Sequence, residues 1–207
     1  MLRRAQSPIE INLVPIEPGI FFENEDFSIS AFAVEHRGPD CLGFVFEEKP
    51  RCPFLPERAD ALDIPPGPWR RDLVNGLAVT LPDGRLIQPD EVLGPERPGA
   101  RLVFSGDVAD TACLEQVSAG ADVLVCEATY LHEDAEMARQ FSHLTARQAA
   151  ELALKVGVKY LILTHLSRRY REKDILEEAA AIFPNVVVAR DFDVFQIRRD
   201  VTVKVTL

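Results

Sequence analysis

Four residues that can bind a metal ion or exchange a proton each follow closely on a short apolar run. They are Asp107, Glu127, His165 and Asp191. Carboxylate oxygens and imidazole nitrogens are the ligands that zinc and similar divalent ions take from proteins. A polar turn would explain any one of the four equally well, but four such residues at equivalent positions favour one shared site.

The apolar runs themselves predict β-strands, because each is short and is bounded by turn residues. They cover residues 101–105, 121–126, 160–163 and 185–189. Helical stretches separate them, which is typical of parallel strands in an α/β fold, whose ligands lie beyond the carboxyl ends of the strands. We therefore expect Asp107, His143 and His165 to meet at one sheet edge, with roughly 5 to 10 Å between side-chain tips. Glu127 and Arg169 should line the same rim.

His143 comes just before a predicted helix. Thr145 and Gln148 have the spacing of a capping box, and Gly157 ends the pattern, so the helix should cover residues 146–156. The N–H groups at a helix N-terminus favour an anion. His143 is therefore expected to face a phosphate; the alternative interpretation is a histidine in an exposed loop.

The segment after His165 is rich in arginine. Arg168, Arg169 and Arg171 could bind phosphate through their planar guanidinium groups, although a polar turn is the simpler alternative. The chain as a whole has a formal net charge of −10. Any binding of a polyanion must therefore depend on grouped arginines.

Residues 53–98 have a different composition from the rest. They hold nine of the fifteen prolines, eight acidic residues, five arginines and no lysine. Clusters such as Pro65-Pro66-Gly67-Pro68 are typical of turns and loops. We predict an extended excursion with a turn or hairpin that contributes no core; a disordered linker is the alternative.

The remaining patterns concern the two ends of the chain. Residues 9–14 and 27–34 alternate between apolar and polar side chains and predict antiparallel strands, residues 193–197 predict a last strand, and residues 201–207 predict a further strand or a frayed end. The longest apolar run is far short of a membrane span, so we expect a soluble, cytoplasmic protein. The four cysteines form no Cys-x-x-Cys pair, which disfavours a thiolate zinc site and agrees with reduced thiols.

Several motifs, in order, resemble those of ribonuclease Z, the metallo-β-lactamase-fold endonuclease that matures tRNA 3′ ends. The resemblance runs over about residues 8–198. It rests on Val34-Glu35-His36 with Cys41-Leu42-Gly43-Phe44, Ser105-Gly106-Asp107, Cys126-Glu127-Ala128-Thr129-Tyr130, Ser142-His143-Leu144-Thr145, Leu163-Thr164-His165 with Ser167, Arg169 and Tyr170, and Ala189-Arg190-Asp191. It implies an α/β fold of the αββα sandwich type.

The resemblance also implies a site and a substrate. A two-zinc site would cleave tRNA precursors at the 3′ end, with Asp107 bridging the ions and His165 binding one of them. His143 and Arg169, with Glu127 beside them, would handle the scissile phosphate. The expected substrate contacts are Ser167 and, in an arm at about 53–98 that grips tRNA, Gly67, Pro68, Arg70 and Arg71. The family also pairs its subunits, so a homodimer is expected.

One family motif is absent from these 207 residues. The sequence contains no His-x-His-x-Asp-His run, and Arg4 or its neighbours occupy the place expected for a further histidine. Asp107 and His165 alone are too few for a zinc site, which needs three or four protein ligands per ion. We therefore expect a chain equivalent to the carboxyl-terminal two-thirds of a ribonuclease Z, inactive alone and weak in zinc binding. A truncated reading frame, a fragment and a shortened non-catalytic paralogue all remain open, as does another hydrolase of the same fold.

Overall fold

The computed structural model describes residues 12–38, 40–198 and 201–205. Its strands are β1 Gly19–Glu23, β2 Phe27–Ala33, β3 Leu42–Glu48, β4 Val79–Thr80, β5 Leu86–Ile87, β6 Arg101–Phe104, β7 Val123–Glu127, β8 Tyr160–Thr164, β9 Val186–Val188, β10 Val194–Arg198 and β11 Val201–Val205. Its helices are α1 Pro56–Ala61, α2 Pro68–Val74, α3 Pro89–Val92, α4 Ala112–Ser118, α5 Ala135–Gln140, α6 Ala146–Val156 and α7 Glu172–Ala180, with a 3₁₀ turn at His132–Asp134.

Seven strands form one large sheet in the order β1-β2-β3-β6-β7-β8-β9. The first four pair antiparallel, whereas β6 to β9 pair parallel. This confirms the predicted parallel strands and the antiparallel strand at 27–34. Because β6 to β9 run the same way, the residues that come after them emerge at one edge of the sheet.

Helices cover one face of this sheet. Val103, Leu124 and Leu161 point to that face and are fully buried in a core shared with α4, α6 and α7. Helix α6 begins and ends as predicted: Thr145 and Gln148 form the capping box, and Gly157 closes the helix in the left-handed conformation. The capping and the buried alanines of α6 fix the segment that carries His143.

The opposite face of the sheet is open along β2, β3 and β6. Its apolar side chains line a shallow depression, and Phe104 is 39% exposed. These side chains are Ile29, Phe44, Phe46, Leu102 and Phe104. Within the described residues, the architecture is thus one layer of helices and one large sheet, together with the two small sheets β4–β5 and β10–β11.

The segment between β3 and β6 is folded, and the prediction of an extended excursion is wrong. Helices α1 to α3 and the hairpin β4–β5 enclose a second small core, in which Leu73 and Val92 are fully buried. The hairpin itself was predicted correctly. The prolines were interpreted as loop residues, whereas Pro56, Pro68 and Pro89 each begin a helix. At the first position of a helix the N–H has no intrahelical partner, so its absence in proline is tolerated.

The two ends of the described chain differ in outcome. Residues 12–14 form no strand, residues 9–11 lie outside the described part, and the edge strand is β1, which was not predicted. The predicted last strand is confirmed as β10, and it pairs with β11 in an antiparallel hairpin. None of the helices in the described part is long and apolar enough to cross a membrane.

Candidate metal centre

Asp107 and His165 lie side by side at the carboxyl edge of the sheet. Asp107 comes after β6 and His165 directly after β8, and Asp107 Oδ2 is 3.5 Å from His165 Nε2. Both side chains are partly open to solvent. His165 has a left-handed backbone (φ 55°), which turns the chain sharply as it leaves the strand. The predicted meeting of these two residues is confirmed.

His143 lies between two other imidazoles. Its ring centroid is 5.1 Å from that of His165 and 5.0 Å from that of His36. One ligand atom each from His36, Asp107 and His143 lies within 4.8 Å of the others. The site therefore contains three of the four histidines of the chain and the carboxylate of Asp107.

His36 is the member that sequence reasoning did not assign to the site. It comes after β2, an antiparallel strand, so the rule for parallel strand ends could not place it. The signal that could have found it is Val34-Glu35-His36, which stands directly after an alternating strand. Arg4, the position at which a missing histidine was sought, lies outside the described residues.

Each of the three imidazoles is held by a hydrogen bond at Nδ1. The partners are Ser142 O for His36 at 2.8 Å, a Glu127 carboxylate oxygen for His143 at 3.0 Å, and Thr129 Oγ1 for His165 at 2.8 Å. A carbonyl or carboxylate can only accept, so Nδ1 carries the proton in His36 and His143. Nε2 is then the free ligand atom on these two rings.

Nδ1 also carries the proton in His165, because the Thr129 hydroxyl group donates its own proton to another acceptor. Thr129 Oγ1 lies 2.5 Å from Glu127 Oε2 and donates to that carboxylate. The hydroxyl oxygen therefore accepts from His165 Nδ1–H. On all three rings the hydrogen bond at Nδ1 thus leaves Nε2 as the atom for a metal, which is the usual arrangement of a metal-binding histidine with an oriented outer nitrogen.

The buried carboxylate of Glu127 holds His143 and Thr129 in place. Its side chain is 1% exposed and accepts hydrogen bonds from Val108 N at 2.8 Å, Leu144 N at 3.1 Å, Thr129 and His143. Four donors use the lone pairs of the carboxylate, so Glu127 is not available to a metal. It instead positions His143 directly, His165 through Thr129, and the backbone beside Asp107.

The N–H groups at the start of α6 do not form the expected anion site. Ala146 N donates to Tyr130 O, Gln148 N donates to Thr145 Oγ1, and Arg147 N donates to the carboxylate of Glu178 on α7. These backbone donors already have partners within the protein and are not available to an anion, whereas a phosphate facing His143 itself stays a prediction. The ring of His143 lies between those of His36 and His165.

Comparison with known proteins agrees with this geometry. A model of the β-lactamase superfamily domain matches residues 88–166. Ribonuclease Z from Bradyrhizobium sp. (strain ORS 278) is 46% identical over 188 residues, covering 91% of this chain and 62% of that protein. Ribonuclease Z from Crocosphaera subtropica is 40% identical over 199 residues, covering 93% of this chain and 64% of that protein. The chain is a ribonuclease Z homologue.

It spans a little under two thirds of the length of these ribonuclease Z relatives. Among solved structures, the metallo-β-lactamase-fold protein YhfI from Bacillus subtilis matches with a TM-score of 0.51 at 17% identity, covering 87% of this chain and 52% of that one. This likeness concerns the fold alone. The predicted metallo-β-lactamase fold is confirmed.

The donor set fits the metal dependence of this fold. Three imidazole nitrogens and one carboxylate, with each imidazole oriented by an outer hydrogen bond, are ligands that zinc accepts. His36, Asp107 and His143 bring three donor atoms together for one ion, and His165 adds a fourth beside Asp107. They fall short of the number that two hydrolytic zinc ions need, about three to four protein ligands each.

Two residues expected to contact the ribonuclease Z substrate have other partners in this structure. Arg169 Nη1 lies 2.9 Å from Met137 Sδ and 3.9 Å from Asp134, so its guanidinium group faces α5 and the preceding turn. Ser167 Oγ accepts from Arg169 N at 3.3 Å and closes the turn after β8. Neither forms a hydrogen bond with the imidazole cluster.

Asp191 was expected to join the site and does not. It is exposed after β9, and it belongs to neither group of possible metal ligands among the described residues. The strand order explains this, because β9 is the outer strand and β8 lies between it and the strands that carry Asp107 and Glu127.

In the arm, the residues expected to touch tRNA shape α2. Gly67 precedes the helix with φ 131°, which only glycine adopts readily, and Pro68 begins it. Arg70 donates to Ile64 O and pairs with Asp60 at 2.5 Å, so its guanidinium group is used within the arm. Arg71 is exposed.

Proposed function

We propose that this chain carries the carboxyl-terminal part of a zinc-dependent endoribonuclease site that removes the 3′ trailer from tRNA precursors. The observation that supports this most is the cluster of Asp107, His36, His143 and His165 at one sheet edge, in a chain related to ribonuclease Z. The hydrogen bonds of Glu127 support it further. This buried carboxylate orients His143 directly and His165 through Thr129, as outer groups around a metal site orient its ligands.

The residues divide the chemistry between them. A bound zinc ion would polarise a phosphate oxygen and lower the pKa of a coordinated water molecule. Asp107 lies within reach of both His36 and His165, the position from which one carboxylate can serve two ions. His143, held by Glu127 at Nδ1, presents Nε2 toward the same space and would hold an ion there.

We infer that the 207 residues alone bind zinc less tightly than a complete site and cleave RNA slowly or not at all. Four donors are present where two ions need more, and the sequence lacks the His-x-His-x-Asp-His run. The relatives named ribonuclease Z are longer than this chain, which agrees with a need for further ligands.

A shortened, non-catalytic homologue is the second candidate. It is favoured by the arm, where Arg58, Arg70 and Arg85 donate to the backbone carbonyls of Leu93, Ile64 and Leu62. Arginines used in this way contribute little to phosphate binding, and the chain carries a net charge of −10. In this candidate the chain acts as a partner in a homodimer or on tRNA rather than as a nuclease.

Fragment complementation separates the two candidates. The chain is mixed with the amino-terminal segment of a ribonuclease Z relative that contains the His-x-His-x-Asp-His run, and cleavage of a precursor tRNA with a 3′ trailer is monitored with added zinc. The endoribonuclease proposal predicts cleavage at the trailer junction by the mixture and none by either part. The Asp107→Asn substitution should abolish it. A stable mixture that never cleaves would support the non-catalytic candidate.

A further inference from the structure

We infer that Arg37 is a positioning residue for the metal centre: it braces the turn that carries His143 against the loop that carries His36. The inference rests on the proposed metal site, and it adds a residue that touches neither metal nor substrate. Two adjacent side chains, His36 and Arg37, donate to two adjacent carbonyls, Ser142 O and Phe141 O.

The brace is built from three contacts. His36 Nδ1–H donates to Ser142 O at 2.8 Å, and Arg37 Nε–H donates to Phe141 O at 3.1 Å. The guanidinium carbon of Arg37 also lies 5.4 Å from the centre of the Phe141 ring, within the range of a cation–π contact. Planar geometry lets one guanidinium group serve both the carbonyl and the ring.

The amide groups of the braced turn have partners, since Phe141 N, Ser142 N and His143 N donate to the carbonyls of Met137, Arg139 and Ala138. Helix α5 ends at Gln140, and Ser142 adopts a left-handed backbone with φ 60° before the chain enters His143. The carbonyls of Phe141 and Ser142 are past the end of the helix, where they lack intrahelical donors. His36 and Arg37 supply donors to both, so the turn and the loop hold one another.

The consequence falls on two ligands at once. The carbonyl that orients His36 belongs to the residue directly before His143, and the two rings lie 5.0 Å apart between centroids. A shift of this turn would therefore move the His143 backbone and release Nδ1 of His36 together. Arg37 does not contact an imidazole itself; it contacts Phe141, the residue before Ser142, whose carbonyl orients His36.

Zinc affinity measures this role directly. Groups that orient a ligand typically change metal affinity 10- to 100-fold when removed, so a brace one step further out should change it roughly threefold to tenfold. We expect Arg37→Met, which keeps the length of the side chain but has no N–H, to weaken zinc binding by that factor. Arg37→Lys, which keeps a cation above Phe141 but lacks the fork, should lie between Arg37→Met and the native chain. The melting temperature without metal should change little, since the brace is exposed.

A matched control and a metal-free readout keep the test independent. Arg139→Met removes a guanidinium group from α5 that is 78% exposed and paired with Glu136, and it should leave zinc affinity unchanged. In the zinc-free chain, Arg37→Met should speed amide hydrogen exchange at His143, whose N–H donates to Ala138 O. The visible spectrum of the cobalt-substituted chain should also change in Arg37→Met.

The outcomes are distinct. Arg37→Met with native zinc affinity, native cobalt spectrum and native exchange at His143 would overturn the brace and leave the metal site intact. A native chain that binds no zinc would overturn the metal site, while faster exchange at His143 in Arg37→Met would still establish the brace as a structural device.

Discussion

Among single residues, the buried carboxylate of Glu127 matters most for the proposed metal centre. Glu127→Gln keeps the shape of the side chain but places an amide nitrogen against groups that are all donors. We expect a loss of about 2–4 kcal/mol in the free energy of unfolding, because a buried donor is left without its acceptor. Zinc affinity should fall roughly 10- to 100-fold.

Urea denaturation and zinc competition test both effects of Glu127→Gln. Glu115→Gln is the control, because Glu115 forms only a surface ion pair with Lys155. Its unfolding free energy and zinc affinity should stay close to native. An unchanged zinc affinity in Glu127→Gln would contradict the positioning role.

A second residue-scale prediction concerns pH. Burial raises the pKa of the Cys126 thiol from 9.0 to about 12. The unfolded thiol therefore loses its proton first as pH rises, and the stability present below pH 9 is lost between about pH 9 and 12. Cys126→Ala should show a shallower fall in unfolding free energy over pH 9 to 11; equal slopes would contradict the prediction.

The chemistry of the site was only partly predictable at this scale. Asp107 and His165 could be placed because the carboxyl end of a parallel strand fixes the position of the residues just beyond it. His36 could not be placed from that rule, and the partners of Arg169 depend on α5, which no motif of the sequence places beside it.

At the scale of elements, α6 and the 3₁₀ turn before α5 are joined to α7 by Glu178. Its carboxylate accepts from Arg147 N at 3.0 Å and from His132 N at 3.0 Å. Glu178→Gln should lower the free energy of unfolding by about 1–3 kcal/mol, since a charged acceptor at the start of two helical segments is lost.

Chemical denaturation beside Glu177→Gln measures this effect. Glu177 is exposed and forms only a surface pair with Lys173, so its variant should differ little from the native chain. Equal stability of the two variants would mean that Glu178 does not join these elements.

Helix α6 shows what local sequence signals can determine, because its two caps, Thr145 and Gly157, are local and unambiguous. The segment at 53–98 shows where they fail. Its prolines indicate loops when taken by composition, yet their places at helix starts depend on packing around Leu73 and Val92.

In the whole molecule, the described residues form two cores that do not share buried residues. Leu73→Ala empties a fully buried site in the smaller one and should destabilise it by about 2–5 kcal/mol. Hydrogen exchange should rise over residues 56–93 while zinc affinity stays native. A uniform rise across β6 to β8 would contradict the separation of the two cores.

The fold family could be predicted from the sequence, but the open apolar face of the sheet could not. The β-α-β pattern and the family motifs were enough for the metallo-β-lactamase fold. The open apolar face at Phe44 and Phe104 was not visible in the alternation of β3 and β6, because apolar side chains on both faces give no periodic signal.

His36, His143 and His165 together form the proposed metal centre, and the fourth histidine of the chain serves as a control. His132 is exposed and lies outside both groups of possible ligands among the described residues. Zinc affinity, measured by competition with a chromophoric chelator, should fall at least roughly tenfold in His36→Ala, His143→Ala and His165→Ala, and stay native in His132→Ala. A native chain without specific zinc binding, or equal affinities in all four variants, would show that these three histidines do not form a metal centre.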